Sequence, residues 1–144
     1  MNPNMEFSIK MTLAYNAVCK PLCQDLKVPQ TAFDILMFLA NNPTCKTASD
    51  IVEIRKIKAN LVSVNVDRLV ADGYLERRPV ASDRRKTELI CTEKAQPIIE
   101  HGRAVQEKFF ARLLDGIDEE TREAFARTMR TVGENLDEIL KENA

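Results

Sequence analysis

Apolar residues recur every three or four positions along most of the chain and alternate in one place only. Phe7, Met11, Ala14, Val18, Leu22 and Leu26 form the stripe of an amphipathic helix from Phe7 to Leu26. Pro21 falls inside it, which predicts a kinked last turn or an early stop, because proline lacks the N–H that the helix ladder uses. Ile9 and Leu13 add apolar surface off the stripe, more than one neighbour covers, and predict packing between subunits. Pro29 suits a first-turn position, and Phe33 with Ile35 to Ala40 then leaves almost no polar face. That is a central, buried helix, ended by Asn41-Asn42-Pro43.

Thr47 and Asp50 have the spacing of a capping box and open a short helix through Ile51, Val52 and Ile54. A turn around Arg55 to Lys58 separates it from a helix running from Ala59 to Asp72 and stopping at Gly73. Val62, Val66 and Leu69 mark the inward face of this second helix. Ala59, Asn60, Ser63, Val64 and Asp67 point outward, a face small and weakly charged enough to approach base edges. The alternating stretch follows at once. Tyr74–Arg78 and Thr87–Cys91 read as two strands of an antiparallel hairpin joined by a polar connection, Pro79 to Lys86. Two short helices joined by a tight turn and followed by a hairpin make a winged helix-turn-helix pattern. Thr92 can cap a further helix to about Leu114, with Ile98, Val105, Phe109 and Leu113 as its stripe. Asp118 starts a last helix in which Phe125, Met129, Val132, Leu136 and Ile139 repeat close to a heptad, so the two terminal helices are expected to pair antiparallel. The fold class is mainly α with a small β-hairpin wing, one domain over residues 1–144.

Charge sharpens this picture. The net charge of 144 residues is only −1. Yet residues 1–45 are balanced, residues 46–94 carry +3 and residues 95–144 carry −4. The basic middle can face phosphates while the acidic tail lies away from them. Within the hairpin, Arg77, Arg78, Arg84, Arg85 and Lys86 crowd one ribbon against Glu76, Asp83 and Glu88. Charged ribbons also serve solubility and edge protection; it is the preceding helix pair that turns this one into a polyanion-binding candidate.

The remaining chemistry excludes more than it offers. Cys19, Cys23, Cys45 and Cys91 match no paired metal motif and read as reduced, semi-buried thiols, and His101 is the only histidine. No metal ligand set, cofactor motif, Ser/His/Asp arrangement or Gly-rich phosphate loop is present, which argues against an enzyme. The opening residues lack the basic start and apolar core of a secretion signal, and no apolar run has membrane-spanning length, so a cytoplasmic protein is expected.

The segment V66-D67-R68-L69-V70-A71-D72-G73-Y74-L75-E76-R77, followed by D83-R84-R85 and L89-I90-C91-T92, resembles the signature of the MarR family of transcription regulators. The resemblance implies a homodimer on double-stranded DNA, with a reading helix in the major groove and a wing in the flanking minor groove. It assigns residues 29–92 to DNA binding, and 5–28 and 93–144 to helical dimerisation. DNA contacts are then expected from Lys58, Ala59, Asn60, Ser63, Val64, Arg77, Arg84, Arg85 and Lys86. Asp67 and Asp83 would orient the wing, with Asp67 matching the family residue that pairs with the arginine found here as Arg85. Lys56 replaces a frequent turn Gly, Lys58 a frequent capping Ser or Thr, and Asn65 a usual aliphatic residue.

The expected function is sequence-specific repression from a pseudo-palindromic operator, released by a small apolar or aromatic effector held near Tyr15, Phe33, Met37 and His101. Two alternatives stand beside it: a winged-helix protein-interaction module without DNA binding, and a thiol-based redox regulator using Cys19 and Cys23.

Overall fold

A computed structural model describes all residues, Met1–Ala144, in two units, Met1–Phe109 and Phe110–Ala144. The first holds helices α1 (Pro3–Leu26), α2 (Gln30–Asn41), α3 (Ala48–Asp50) and α4 (Ala59–Ala71), strands β1 (Leu75–Val80) and β2 (Asp83–Cys91), and most of helix α5 (Gln96–Leu113). The second holds the end of α5 and helix α6 (Glu119–Glu142).

Helix α1 starts four residues earlier than its stripe predicts. Asn2 accepts from the Asn4 N–H at 2.9 Å, and Pro3, whose missing N–H is no loss there, occupies the first helical position. Of the two outcomes expected at Pro21, the early stop does not occur: the helix continues past it to Leu26. The carbonyl it leaves unpaired belongs to Ala17, which is exposed and therefore open to water. The helix stops instead at Lys27, in the left-handed region at φ 55°, where the Val28 N–H reaches the Cys23 carbonyl at 3.1 Å.

The core gathers around α2, as the run of apolar residues predicts. Phe33, Ile35, Leu36 and Met37 are each at most 2% exposed and pack with Ile51, Val62, Leu69 and Ile99. Gly102 lets α5 come close: a Cβ there would meet Met37 Sδ at 2.5 Å and Phe33 Cζ at 3.1 Å. Arg103 fastens the same contact from outside, donating to the Asn41 side chain at 3.0 Å and the Ala40 carbonyl at 3.1 Å, where α2's last carbonyls lack helical partners.

The capping box at α3 forms as predicted. Thr47 accepts from the Asp50 N–H at 3.1 Å while Asp50 accepts from the Thr47 N–H at 3.1 Å, which holds the Asp50 carboxyl below its usual range. A π-helical turn, Ile51–Arg55, follows, and Lys56 then turns the chain at φ 62°. A lysine thus takes the left-handed conformation where a glycine would be free of strain.

Thr92 does not cap α5 with its side chain. Its hydroxyl donates to the Gly73 carbonyl at 2.6 Å and its N–H to the Tyr74 carbonyl at 3.1 Å, while the Lys94 ammonium reaches the Asp72 carbonyl at 2.6 Å. These bonds moor the lead-in of α5 to the end of α4, where Gly73 at φ 82° completes a left-handed cap.

In the second unit Asp118 accepts from the Thr121 N–H at 2.8 Å, and Arg122 bonds the Ile117 and Leu114 carbonyls at 2.8 and 2.7 Å. Helix α6 has no buried residue; Phe125, Met129, Val132, Leu136 and Ile139 remain 41–53% exposed. No helix of the protein is long and apolar enough to cross a membrane.

Candidate nucleic-acid interface

Helix α4 divides its residues as the periodicity predicts. Val62, Val66 and Leu69 are at most 3% exposed, while Ala59, Asn60, Ser63, Val64 and Asp67 are all exposed. Asn65 joins the buried side at 6% exposure. Its amide folds back on its own helix and donates to the Leu61 carbonyl at 2.7 Å, which satisfies a polar group in an apolar environment. Lys58 precedes the helix in an extended conformation and makes no side-chain cap, so its ammonium is free to extend outward.

The wing is longer and tighter than its alternation predicts. Leu75 pairs with Cys91 and the register runs regularly to Pro79 opposite Thr87, but the next pair is Val80 with Asp83. Only Ala81 and Ser82 form the turn. Arg84, Arg85 and Lys86 therefore belong to β2 rather than to a loop, and they face no partner on β1. Pro79 has no N–H to offer the ladder where this offset occurs, and the turn uses no positive φ, so its twist does not match that of the strands. The result is a bulge made of three adjacent cations, all exposed.

The wing's link to α4 also differs from what the resemblance implies. Asp67 pairs with Arg77, not with Arg85. Arg77 sits opposite Leu89 in the regular part of the hairpin, whereas Arg85 lies in the bulge beyond Thr87, where its backbone N–H donates to Asp83 Oδ1 at 3.0 Å. Asp83 thus shapes the tip, and Asp67 and Arg77 tie the wing to α4. The base has a second mooring, from the Leu89 N–H to the Lys46 carbonyl at 2.7 Å.

Lys46 and Ser49 were not among the residues expected here. They share a hollow of about 650 Å³ with Thr47, Arg85 and Lys86, which Asp50, Asp83 and Glu88 also line, so the wing's cations adjoin the start of α3 across a hollow of mixed charge. Sequence spacing carries no signal for this proximity, because forty residues separate the two sides.

The proposed effector residues do not converge. Phe33 and Met37 are core residues at 1% and 2% exposure, and His101 is exposed. Tyr15 and Met37 do line a hollow of about 200 Å³ with Asp34, Asn41, Arg55 and Gln106, without Phe33 or His101. Its polar groups are engaged with one another: Gln106 donates to Tyr15 Oη at 2.8 Å, Gln30 to Asp34 Oδ1 at 2.8 Å, and Arg55 faces Asp34 at 3.5 Å. Burial pushes the Tyr15 phenol up to about 12 and raises the Asp34 carboxyl against the pull of Gln30 and Arg55. The thiols of Cys19 and Cys23 are buried and free. Burial raises both, Cys23 to about 11, which opposes the thiolate a redox sensor needs.

Residues 25–86, the end of α1 through the wing bulge, match the family model described as MarR family. Solved structures share the fold over most of their length. A MarR family transcriptional regulator from Listeria monocytogenes, crystallised with a 26mer DNA, is 18% identical, with 94% of this chain and 89% of that one covered and a TM-score of 0.81. A MarR transcriptional regulator from Methanosarcina mazei is 19% identical, with 88% of each chain covered and a TM-score of 0.72. BpsR of Bordetella bronchiseptica, whose DNA binding is regulated by 6-hydroxynicotinic acid, is 20% identical, with 92% and 94% covered and a TM-score of 0.70. The helix-turn-helix and wing thus match the MarR family model, and the chain as a whole shares the fold of solved MarR structures.

Proposed function

We propose that the protein is a cytoplasmic, sequence-specific DNA-binding repressor that acts as a homodimer on a pseudo-palindromic operator. One observation carries this reading: an outward helix face free of long charged side chains lies beside a wing whose bulge offers three consecutive cations. The small face suits base edges in the major groove, and the bulge suits phosphates or a narrow minor groove. The DNA-bound Listeria relative supports the same use of the fold.

Residues 29–92 contact DNA in this reading, with Asn60 on adenine, Lys58, Ala59, Ser63 and Val64 around it, and Arg77, Arg84, Arg85 and Lys86 from the wing. Residues 5–28 and 93–144 join the subunits. Phe7 and Leu13 on α1, 59% and 63% exposed, and the apolar stripe of α6 supply the surface for it. A small effector releases the operator, as the regulated relative from Bordetella suggests.

Titration of the full chain against duplexes selected from a random library tests the proposal. Arg84→Ala or Arg85→Ala should each weaken binding by roughly 1–3 kcal/mol and flatten its salt dependence. Equilibrium sedimentation should give a dimer at micromolar concentration and half-sites about one helical turn apart. Unchanged affinity in both variants, or full affinity from a monomer, would overturn the mechanism.

A further inference from the structure

Val64 is 67% exposed, on the same outward stripe of α4 as Asn60, one turn further along. Single exposed apolar residues are common on protein surfaces, but this position is an unusual place for one. A β-branched residue on an exposed helix face is a poorer helix former than the Lys, Glu or Ala that could stand there, and it gains no packing in return. The residues around it repeat the pattern. From Ala59 to Asp67 the helix carries no Arg, Lys, Gln or Glu, its only charge is Asp67, and that carboxylate is engaged by Arg77.

Between Ala59 and Asp67 such a helix offers no bidentate Arg or Lys, the usual reader of guanine, and no free acid for the donor group of cytosine. What it does present is one carboxamide, which fits the donor and acceptor edge of adenine, and one branched apolar side chain, which fits the C5-methyl of thymine. Residues four apart on a helix have Cβ atoms about 6 Å apart, close to two base-pair steps of about 3.4 Å each.

We propose that Val64 is a specificity-determining residue that reads a thymine methyl group, so that each half-site centres on an A·T element: an adenine opposite Asn60 and a thymine about two base pairs away. The inference rests on the DNA-reading function proposed above. It adds to it the base class that the helix selects.

Thymine and uracil differ only by that methyl group, so the test needs no change in the protein. Duplexes enriched from a random 20-bp library by the full chain are resynthesised with deoxyuridine replacing each thymine in turn. Wild-type protein should lose about fourfold in affinity at one position per half-site, the worth of one buried methyl. Val64→Ala should bind the thymine and uracil duplexes alike at that position, while keeping the adenine preference that Asn60→Ala loses. Enriched duplexes that tolerate uracil everywhere, or a uracil penalty that survives in Val64→Ala, would overturn the inference and leave DNA reading intact. Failure of the library to enrich any sequence would overturn DNA reading itself, and this inference with it.

Discussion

Removing Asp67 and Arg77 singly and together should reveal a coupling that Asp67 and Arg85 lack. The paired side chains retain 65% and 45% of their exposure. Two unit charges 4 Å apart interact by about 1 kcal/mol in water and about 4 kcal/mol at an effective dielectric of 20. A half-exposed pair lies near the watery limit, and ordering two side chains takes part of the gain, which leaves roughly 0.5–1 kcal/mol. The Arg85 guanidinium has no such partner, so the corresponding cycle should close within the scatter of additivity, about 0.3–0.5 kcal/mol. Urea unfolding of the four proteins in each cycle measures both quantities. Repeating it in 1 M salt, where the Debye length falls to about 3 Å, should erase the Arg77 coupling. A functional consequence follows on the same variants: Asp67→Asn releases Arg77 toward phosphates, so binding to non-specific DNA should tighten and its salt slope steepen by about one unit. A coupling found for Arg85 and absent for Arg77, or one indifferent to salt, would falsify the assignment.

Three further outcomes are expected. Lys56→Gly should stabilise the fold by up to about 1 kcal/mol, because glycine adopts φ 62° without steric strain; a lower thermal midpoint would show that the lysine side chain matters more than its backbone. Asp34→Asn should gain stability relative to wild type as the pH rises from about 4 to about 7: burial raises the carboxyl, so the folded protein holds this proton more tightly, and the associated stability, present below the unfolded value, is lost as the pH climbs through the folded one. Matched unfolding curves at the two pH values read the change, and an opposite trend would mean that the Arg55 pair dominates. Cys19 and Cys23 should react with a thiol reagent only on unfolding, because both are buried and raised; rapid labelling of the native protein, read by mass spectrometry, would revive the redox alternative.

Most of the secondary structure was legible because it rests on local rules. The apolar run of α2, the Thr47/Asp50 box and the inward triad Val62, Val66 and Leu69 each express a spacing, and spacing survives in the fold. Misreadings arose where the outcome depends on a distant partner or on competing local costs. The early stop allowed for at Pro21 does not occur because water can reach the carbonyl it strands, which its position in the sequence does not reveal. The five wing cations were visible, but the offset that places three of them in a bulge depends on Pro79 meeting a tight turn. The choice of Arg77 over Arg85 by Asp67 follows from that register, and so could not precede it. Phe33 was indistinguishable from a ligand-lining residue until its near-complete burial was known.

The wing's base and tip answer to separate constraints. From Leu75–Cys91 to Pro79–Thr87 the hairpin is held in register and moored by the Leu89 and Thr92 amides, whereas Arg84–Lys86 and the two turn residues are bonded to almost nothing beyond Asp83. Insertions, deletions or exchanges at the tip therefore leave the helix-turn-helix undisturbed. Such a tip is free to diverge quickly, and the reach of the wing along DNA can be re-engineered by changing a handful of residues, without renegotiating the stability of the domain that carries it.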